Sequence, residues 1–298
     1  MMRVRSFAAS LGVALALFLS VSGLARSDDN EMIVAGTEAP DGKFPYQVRL
    51  YTSVDDDRGF CGGSIIAPQW VLTASHCVTR GDLDGGPTSQ ADPEDVVVGY
   101  GSNDRTKTTK VEAEKIFVRP EFLEKGLNGK ADVALIKLAA PIADAKPVPL
   151  ADPEIDEKYL VPGARVTVSG WGTLWSFDED FTALMSDLGP EIEGKVEAPI
   201  RLREVDMDWI DNDSCNAAFA GSHGTGVAPT ELCAFQKGTN KDTCQGDSGG
   251  PMVVRDEGGA FVQIGVVSWG SGCGGTTPGV YARVAPFAGW IADTIKSN

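Results

Sequence analysis

Short stretches rich in β-branched and apolar residues recur along most of the chain, separated by Gly, Pro, Asp and Asn. Clear examples lie at residues 46–50, 70–73, 95–98, 133–136, 165–168 and 261–267. Strands of this length with turn residues between them are typical of all-β sandwiches and barrels. The pattern therefore predicts an all-β fold, and neither an internal repeat nor a Gly/Ser-rich linker divides it into independent domains.

A long helical pattern appears only at the C-terminal end. Pro286 suits the first position of a helix. Apolar residues then recur at helical spacing: Phe287, Trp290, Ile291 and Ile295. We expect this helix to pack its apolar side against the sheet core.

Two stretches without periodicity, residues 80–93 and 175–199, are predicted to be surface loops. The second is acidic, which allows calcium binding or partner docking as a functional alternative to a solvated loop. The solvated loop is favoured, because the Asp-x-Asp-x-Asp-Gly spacing of a calcium loop is absent from the sequence.

The N-terminus has the three parts of a secretory signal peptide. Arg3 and Arg5 precede an apolar run at residues 11–19, and small residues follow at 23–25. A membrane anchor would need about 20 apolar residues, roughly twice this run. We therefore predict a signal peptide at residues 1–25, a secreted, extracellular protein, and no association with a membrane.

Composition and charge narrow the function. The chain is 42% apolar and 23% charged, which excludes a disordered or coiled-coil protein. Its net charge of −16 disfavours binding of nucleic acid and favours binding of cationic ligands. Secretion implies oxidising conditions, so the six cysteines are predicted to form three disulfides. Because there is no CxxC pair and the two histidines lie far apart, we predict no metal site and no cofactor.

Residues 246–250 fit the pattern G-x-S-x-G, which indicates a nucleophilic serine at Ser248. In an α/β-hydrolase the histidine of the triad follows this serine. Here His76 and His223 both precede it, which argues against an esterase or lipase of that fold.

A serine hydroxyl becomes a good nucleophile when an imidazole takes its proton and an acid orients the imidazole. His76 follows an apolar strand and precedes Cys77, and Asp132 immediately precedes the apolar run 133–136. His223 lies in a glycine-containing loop and is predicted to be solvated. The best candidates for base and acid are therefore His76 and Asp132.

With these residues in place, the chain resembles the trypsin/chymotrypsin family of serine proteases. The motifs occur in the family's order at residues 33–36, 73–77, 132–135 and 246–251, with further similarity at 170–172, 268–270 and 278–281. The resemblance extends from Ile33 to the C-terminal helix. It implies a protease domain at 33–298 with two packed antiparallel six-stranded Greek-key barrels, a C-terminal helix, and the active site between the barrels.

The resemblance also assigns roles to individual residues. Ser248 would attack the scissile carbonyl, His76 would take and return the proton, and Asp132 would orient the imidazole. The backbone N–H groups of Gly246 and Ser248 would form the oxyanion hole. By the same resemblance the six cysteines, which permit fifteen pairings in principle, would pair as Cys61–Cys77, Cys215–Cys233 and Cys244–Cys273.

Specificity follows from Asp242, which the resemblance places at the floor of the primary pocket. A carboxylate there pairs with a substrate Arg or Lys. Gly270 and Gly279 would leave the pocket walls open, and residues 268–270, beginning at Ser268, would pair with the substrate backbone. The expected activity is an endopeptidase that cleaves after Arg or Lys.

Activation departs from the family pattern. The resemblance implies a pro-segment at residues 26–32, after whose removal the ammonium group of Ile33 pairs with Asp247. The family's usual activation site ends in Arg or Lys, whereas here Met32 precedes Ile33. We therefore expect an activating protease of different specificity rather than autocatalysis.

A catalytically silent homologue that serves as a binding protein is the alternative from another class. A broken triad or a filled pocket would favour it, and the sequence has neither. The partners expected are protein or peptide substrates with Arg or Lys, protein protease inhibitors and the activating protease, and the chain is expected to be a monomer.

Overall fold

The computed structural model describes residues 36–173, 198–219, 226–275 and 277–298. The predicted signal peptide, the pro-segment, Ile33 and His223 lie outside these residues, as do residues 174–197, which include most of the acidic stretch.

Strands dominate the described residues. They are β1 (Thr37–Glu38), β2 (Gln47–Tyr51), β3 (Cys61–Ala67), β4 (Trp70–Thr73), β5 (Thr79–Gly81), β6 (Thr88–Gln90), β7 (Val97–Tyr100), β8 (Thr109–Val118), β9 (Ala134–Leu138), β10 (Arg165–Gly170), β11 (Arg203–Ile210), β12 (Glu231–Phe235), β13 (Pro251–Arg255), β14 (Phe261–Trp269) and β15 (Gly279–Arg283). The α-helices are α1 (Pro120–Lys125), α2 (Pro153–Tyr159), α3 (Asn212–Ala218) and α4 (Ala288–Ser297).

The first barrel consists of six antiparallel strands in the closed order β2-β3-β4-β9-β8-β7. Closure leaves no unpaired strand edge within the ring. Branched and aliphatic side chains fill its interior, among them Val48, Leu50, Val71, Val98 and Ile136, which are all fully buried.

The second barrel runs β11-β10-β13-β14-β15-β12, and a pairing between β11 and β12 closes it. The short strand β1 adds to the outer edge of β11. Val166, Val168, Met207, Ile264 and Tyr281 fill this second core. Two six-stranded antiparallel barrels with a C-terminal helix confirm the predicted fold class.

A third cluster of buried side chains joins the two barrels beneath the C-terminal helix. Phe287 and Ile291 pack there with Leu72 and Leu135 of the first barrel and Val266 of the second. The prediction that this helix docks on the sheet core is confirmed, although Pro286 belongs to a short 3-10 turn and the α-helix begins at Ala288.

The stretch at 80–93 is more regular than its sequence predicts. Strands β5 and β6 pair antiparallel across it, and the turn between them contains Gly85 with φ of 129°. Three residues per strand are too few to produce a visible alternation of apolar and polar positions. In the part of the chain that the structure describes, no helix combines the length and apolar character that a membrane span requires.

Candidate active site

His76 and Asp132 form a buried, hydrogen-bonded pair. The imidazole Nδ1 lies 2.7 Å from Asp132 Oδ2, and the backbone N–H of His76 donates to Oδ1 at 2.9 Å. Only 5% of the Asp132 side chain and 15% of the His76 side chain are exposed. The two hydrogen bonds fix both carboxylate oxygens relative to the imidazole, so the ring has one well-defined orientation.

The chain on either side of this pair explains its position. His76 lies in a 3-10 turn, Ser75–Val78, that directly follows β4. Ser75 Oγ donates to the carbonyl of Val133 at 2.8 Å, which ties this turn to the segment that leads into β9. Strands β4 and β9 are paired in the barrel, so the residues just beyond β4 and just before β9 meet at the same edge.

Ser268 supplies a further hydrogen bond to the acid. Its hydroxyl donates to Asp132 Oδ2 at 2.6 Å. Burial alone would raise the pKa of Asp132, but His76 and these hydrogen bonds outweigh it and hold that pKa below its usual value. For His76, burial would lower the pKa, and the adjacent carboxylate reverses this and raises it. The sequence assigned Ser268 only to substrate binding, so its bond to Asp132 is an additional contact.

Ser248 lies in a tight turn that packs against β3 and against the end of β4, the strand that leads to His76. The carbonyl of Ser248 accepts from Gly62 N–H at 2.7 Å. Gly246 and Gly249 have φ of 95° and 79°, which L side chains rarely adopt. A Cβ at Gly249 would also collide with the side chain of Thr73, so glycine is what allows this close approach.

Asp247 is completely buried beneath the Ser248 turn. Its two carboxylate oxygens accept backbone N–H groups of Gly172 at 2.7 Å and Cys244 at 2.9 Å. Burial raises the pKa of Asp247 to about 6, against the lowering effect of these bonds and of Arg49. A Cβ at Gly170 or Gly172 would collide with the carboxylate, which gives the glycines of the 170–172 motif a steric reason. Its expected partner, Ile33, lies outside the described residues.

Asp242 and Ser248 line the same pocket, together with Ser268, Gly270 and Gly279. Asp242 is 7% exposed, and its carboxylate accepts from Gly274 N–H at 3.0 Å and Thr243 N–H at 2.8 Å. Burial raises the pKa of Asp242 to about 7. A Cβ at Gly279 would lie 3.0 Å from Asp242 Oδ1, so a side chain there would crowd the carboxylate.

The described residues form three disulfides, which are the pairs that the resemblance implies: Cys61–Cys77, Cys215–Cys233 and Cys244–Cys273. The first and third brace the segments of the candidate site. The first joins β3 to the His76 turn. The third joins the chain just before Ser248 to the pocket wall, since Cys244 and Cys273 both line the pocket. Closing loops of this size contributes about 3 kcal/mol each in the chain-entropy model.

Comparison with known proteins agrees with this geometry. The model of the Trypsin family matches residues 33–291, which is most of the chain. The chain belongs to the trypsin family. A mouse tryptase is 37% identical to it over 275 residues, which cover 88% of each chain. The protein is therefore a trypsin-like serine protease. Its trypsin-family motifs contain the buried pair of His76 and Asp132 and, in the pocket, Ser248, Ser268, Gly270 and Gly279, whereas Asp242 lies outside them.

Sequence reasoning missed one charged residue of this trypsin-family site. Arg49, in the middle of β2, is 2% exposed and donates from Nη1 to the carbonyl of Gly246 at 2.6 Å. In the sequence, Arg49 stands out only as a charged residue between the apolar Val48 and Leu50. The same pattern is typical of a half-exposed strand, so it does not indicate a buried arginine.

Proposed function

We propose that this trypsin-family protease is a secreted endopeptidase that cleaves peptide bonds after Arg or Lys through Ser248, His76 and Asp132. The observation that supports the specificity best is the buried carboxylate of Asp242 in the pocket that Ser248 lines. A buried carboxylate that lines a pocket favours a cationic side chain and disfavours a neutral one. The signal-peptide pattern of the N-terminus supports secretion.

In the proposed mechanism, Ser248 Oγ forms a bond to the scissile carbonyl carbon while His76 Nε2 takes the hydroxyl proton. The oxygen of that carbonyl becomes an oxyanion, held by the N–H groups of Gly246 and Ser248. The C–N bond then breaks as the imidazolium returns the proton to the leaving amine. Water attacks the resulting ester with His76 as base, which releases the acid and restores the serine hydroxyl.

Asp132 stabilises the imidazolium that forms in each half of this reaction. The hydrogen bond from His76 Nδ1 to Asp132 Oδ2 places the ring proton on Nδ1 and leaves Nε2 free to accept the serine proton. The raised pKa of His76 and the lowered pKa of Asp132 both support this assignment.

Activation is proposed to follow removal of residues 1–32 by another protease, so that the Ile33 ammonium pairs with Asp247. The raised pKa of Asp247, about 6, supports this step, because a buried carboxylate gains strongly from a cation. Cleavage after Met32 does not match the proposed specificity for Arg and Lys.

A covalent label tests the proposed nucleophile. We expect protein that begins at Ile33 to react with a peptidyl phosphonate bearing an arginine side chain, and mass spectrometry to place one phosphonyl group on Ser248. Ser248→Ala is the control and should remain unlabelled. Failure of the folded parent protein to react would contradict the proposal and favour the silent binding protein.

Binding of a cation in the pocket should depend on the ionisation of Asp242, whose pKa is about 7. The ionised carboxylate binds benzamidine, an aromatic amidinium, and the protonated acid does not. Affinity is therefore nearly full at about pH 8 and above, is about half of that at pH 7, and falls by about tenfold for each further unit below pH 7. Calorimetric titration of the Ser248→Ala variant between pH 5 and pH 9 measures this, and an affinity that stays constant over this range would contradict it.

A further inference from the structure

Arg49 is a buried cation at the centre of β2. It faces Gly62 of β3 and Gly99 of β7 in the strand register, and its neighbours Val48 and Leu50 are fully buried. An arginine in such a position is costly unless hydrogen bonds satisfy its guanidinium group. The placement of those bonds therefore indicates what the residue does.

The guanidinium group of Arg49 donates to three backbone carbonyl oxygens. Nη1 bonds to Gly246 at 2.6 Å, Nη2 to Gly59 at 2.9 Å, and Nε to Arg58 at 3.1 Å. The bonds to Gly59 and Arg58 anchor the side chain in the first barrel. The bond to Gly246 reaches a residue 197 positions away in the sequence, in the turn of the second barrel that contains Ser248.

Gly59 shapes the space that the guanidinium group occupies. A Cβ at this position would lie 2.7 Å from Nε and 2.8 Å from Cγ of Arg49. Gly59 also has φ of 66°, which suits glycine. The surroundings of Arg49 are therefore fitted to its side chain, and it does not simply fill a gap.

Arg49 remains charged at neutral pH. Burial lowers its pKa to about 10, and the nearby carboxylate of Asp247 is the main effect in the opposite direction. Hydrogen bonds from a charged donor are shorter and stronger than those between neutral groups, in agreement with the 2.6 Å distance to Gly246.

Gly246 has particular need of such an anchor. At φ of 95° a glycine has no side chain that limits its rotation, so the peptide units on either side of it depend on hydrogen bonds for their orientation. The Gln245 carbonyl accepts from Thr173 N–H at 2.8 Å, Asp247 N–H donates to the Cys244 carbonyl at 2.9 Å, and Arg49 binds the Gly246 carbonyl. The Gly246 carbonyl belongs to the peptide unit that joins it to Asp247, and the carboxylate of Asp247 is held by Gly172 and Cys244. Arg49 fixes the beginning of this turn, and Asp247 fixes its next residue.

We infer that Arg49 is a positioning residue for the oxyanion hole. By holding the Gly246 carbonyl, Arg49 keeps the N–H groups of Gly246 and Ser248 directed at the developing oxyanion. This role rests on the proposed function, because it concerns the same peptide-bond hydrolysis. None of the hydrogen bonds of the Arg49 guanidinium group goes to Asp242 or to His76. Loss of Arg49 should therefore weaken stabilisation of the oxyanion and leave binding of the substrate cation unchanged.

The test compares two ligands of protein that begins at Ile33. Benzamidine fills the pocket without forming an oxyanion, whereas a peptidyl arginine aldehyde forms a hemiacetal with Ser248 whose oxygen occupies the oxyanion hole. For Arg49→Met we expect kcat on an arginine anilide to fall about 10- to 100-fold. This fall is smaller than the one caused by removing a hydrogen-bond donor of the oxyanion hole itself. Aldehyde affinity should fall by a similar factor, and benzamidine affinity and KM should stay within about twofold.

Arg105 provides a matched control. Its guanidinium group also donates to backbone carbonyls, those of Pro199 at 3.2 Å, Ala198 at 3.4 Å and Asp57, but none of these residues belongs to the proposed site. Arg105→Met should keep kcat and both affinities, even where its melting temperature falls. This control separates the loss of an anchored oxyanion turn from general destabilisation.

An unchanged kcat in Arg49→Met, or equal losses of aldehyde and benzamidine affinity, would overturn the inference. If Arg49→Met does not fold, Arg49→Lys decides by the same criteria, since it keeps the buried charge but lacks the planar fork that reaches three carbonyls. We expect about a tenfold fall in kcat for Arg49→Lys. A parent protein that hydrolyses no substrate would instead mean that the proposed function is wrong.

Discussion

Asp132→Asn is expected to lower kcat about 10⁴-fold at neutral pH, the loss that this change causes in the enzymes from which the triad mechanism was established. The hydrogen bonds here give the reason. The backbone N–H of His76 donates to Oδ1 of Asp132, so the asparagine oxygen will take the place of Oδ1. The asparagine NH₂ group will then occupy the place of Oδ2. An NH₂ group facing Nδ1 forces the ring proton onto Nε2, which then cannot accept the proton of Ser248.

Steady-state kinetics on an arginine anilide measure this change, and Asp156→Asn is the matched control. Asp156 is also a buried acid, 2% exposed, and it pairs with Arg283 at 2.6 Å, outside the proposed site. The control should lose stability and keep kcat. A kcat for Asp132→Asn within about tenfold of the parent value would show that Asp132 does not set the tautomer of His76.

Asp242→Ser is expected to reduce kcat/KM for arginine and lysine substrates by about 10²- to 10³-fold. Removing one partner of a buried ion pair costs about 3–5 kcal/mol, because the other charge is left without a counterion. Each 1.4 kcal/mol corresponds to about a factor of ten in rate. Substrates with a neutral side chain at the cleavage site should lose little, since they gain nothing from the carboxylate.

Two comparisons make the Asp242→Ser result specific. Asp92→Ser removes one exposed acid outside the pocket and should leave kcat/KM for arginine substrates unchanged, so it controls for the overall negative charge. Asp242→Glu keeps the charge and should retain more of the preference for arginine than the serine variant does. An arginine preference that survives in Asp242→Ser would show that another group recognises the cation.

The strands were predictable because their burial pattern appears directly in the sequence. The predicted stretches at 70–73 and 165–168 lie within β4 and β10, and 261–267 lies within β14. Helices α1 and α2 were missed, although Pro120 and Pro153 stand at their first positions. Helices of one or two turns are too short to display the helical repeat on which recognition depends.

The candidate site was predictable where its residues lie in ordered motifs, as for His76, Asp132 and Ser248. Gln47 and Arg49 show what was not predictable. Alternation with apolar residues in β2 indicates that these polar side chains face solvent, yet they are 4% and 2% exposed. Gln47 accepts a hydrogen bond from Ser169, 122 residues away, and Arg49 donates to Gly246. The second barrel covers this face of β2, and only the tertiary structure reveals that.

The most direct test of the proposed function measures kcat/KM of protein beginning at Ile33 on short amides that end in Arg, Lys, Phe or Ala, with Ser248→Ala as the baseline. We predict turnover of the arginine and lysine amides at least about 10³-fold above that of the other two, and its loss in the variant. Equal turnover of all four amides would contradict the role of Asp242. No turnover by a folded protein with an intact N-terminus would contradict the proposal that this chain is an active protease.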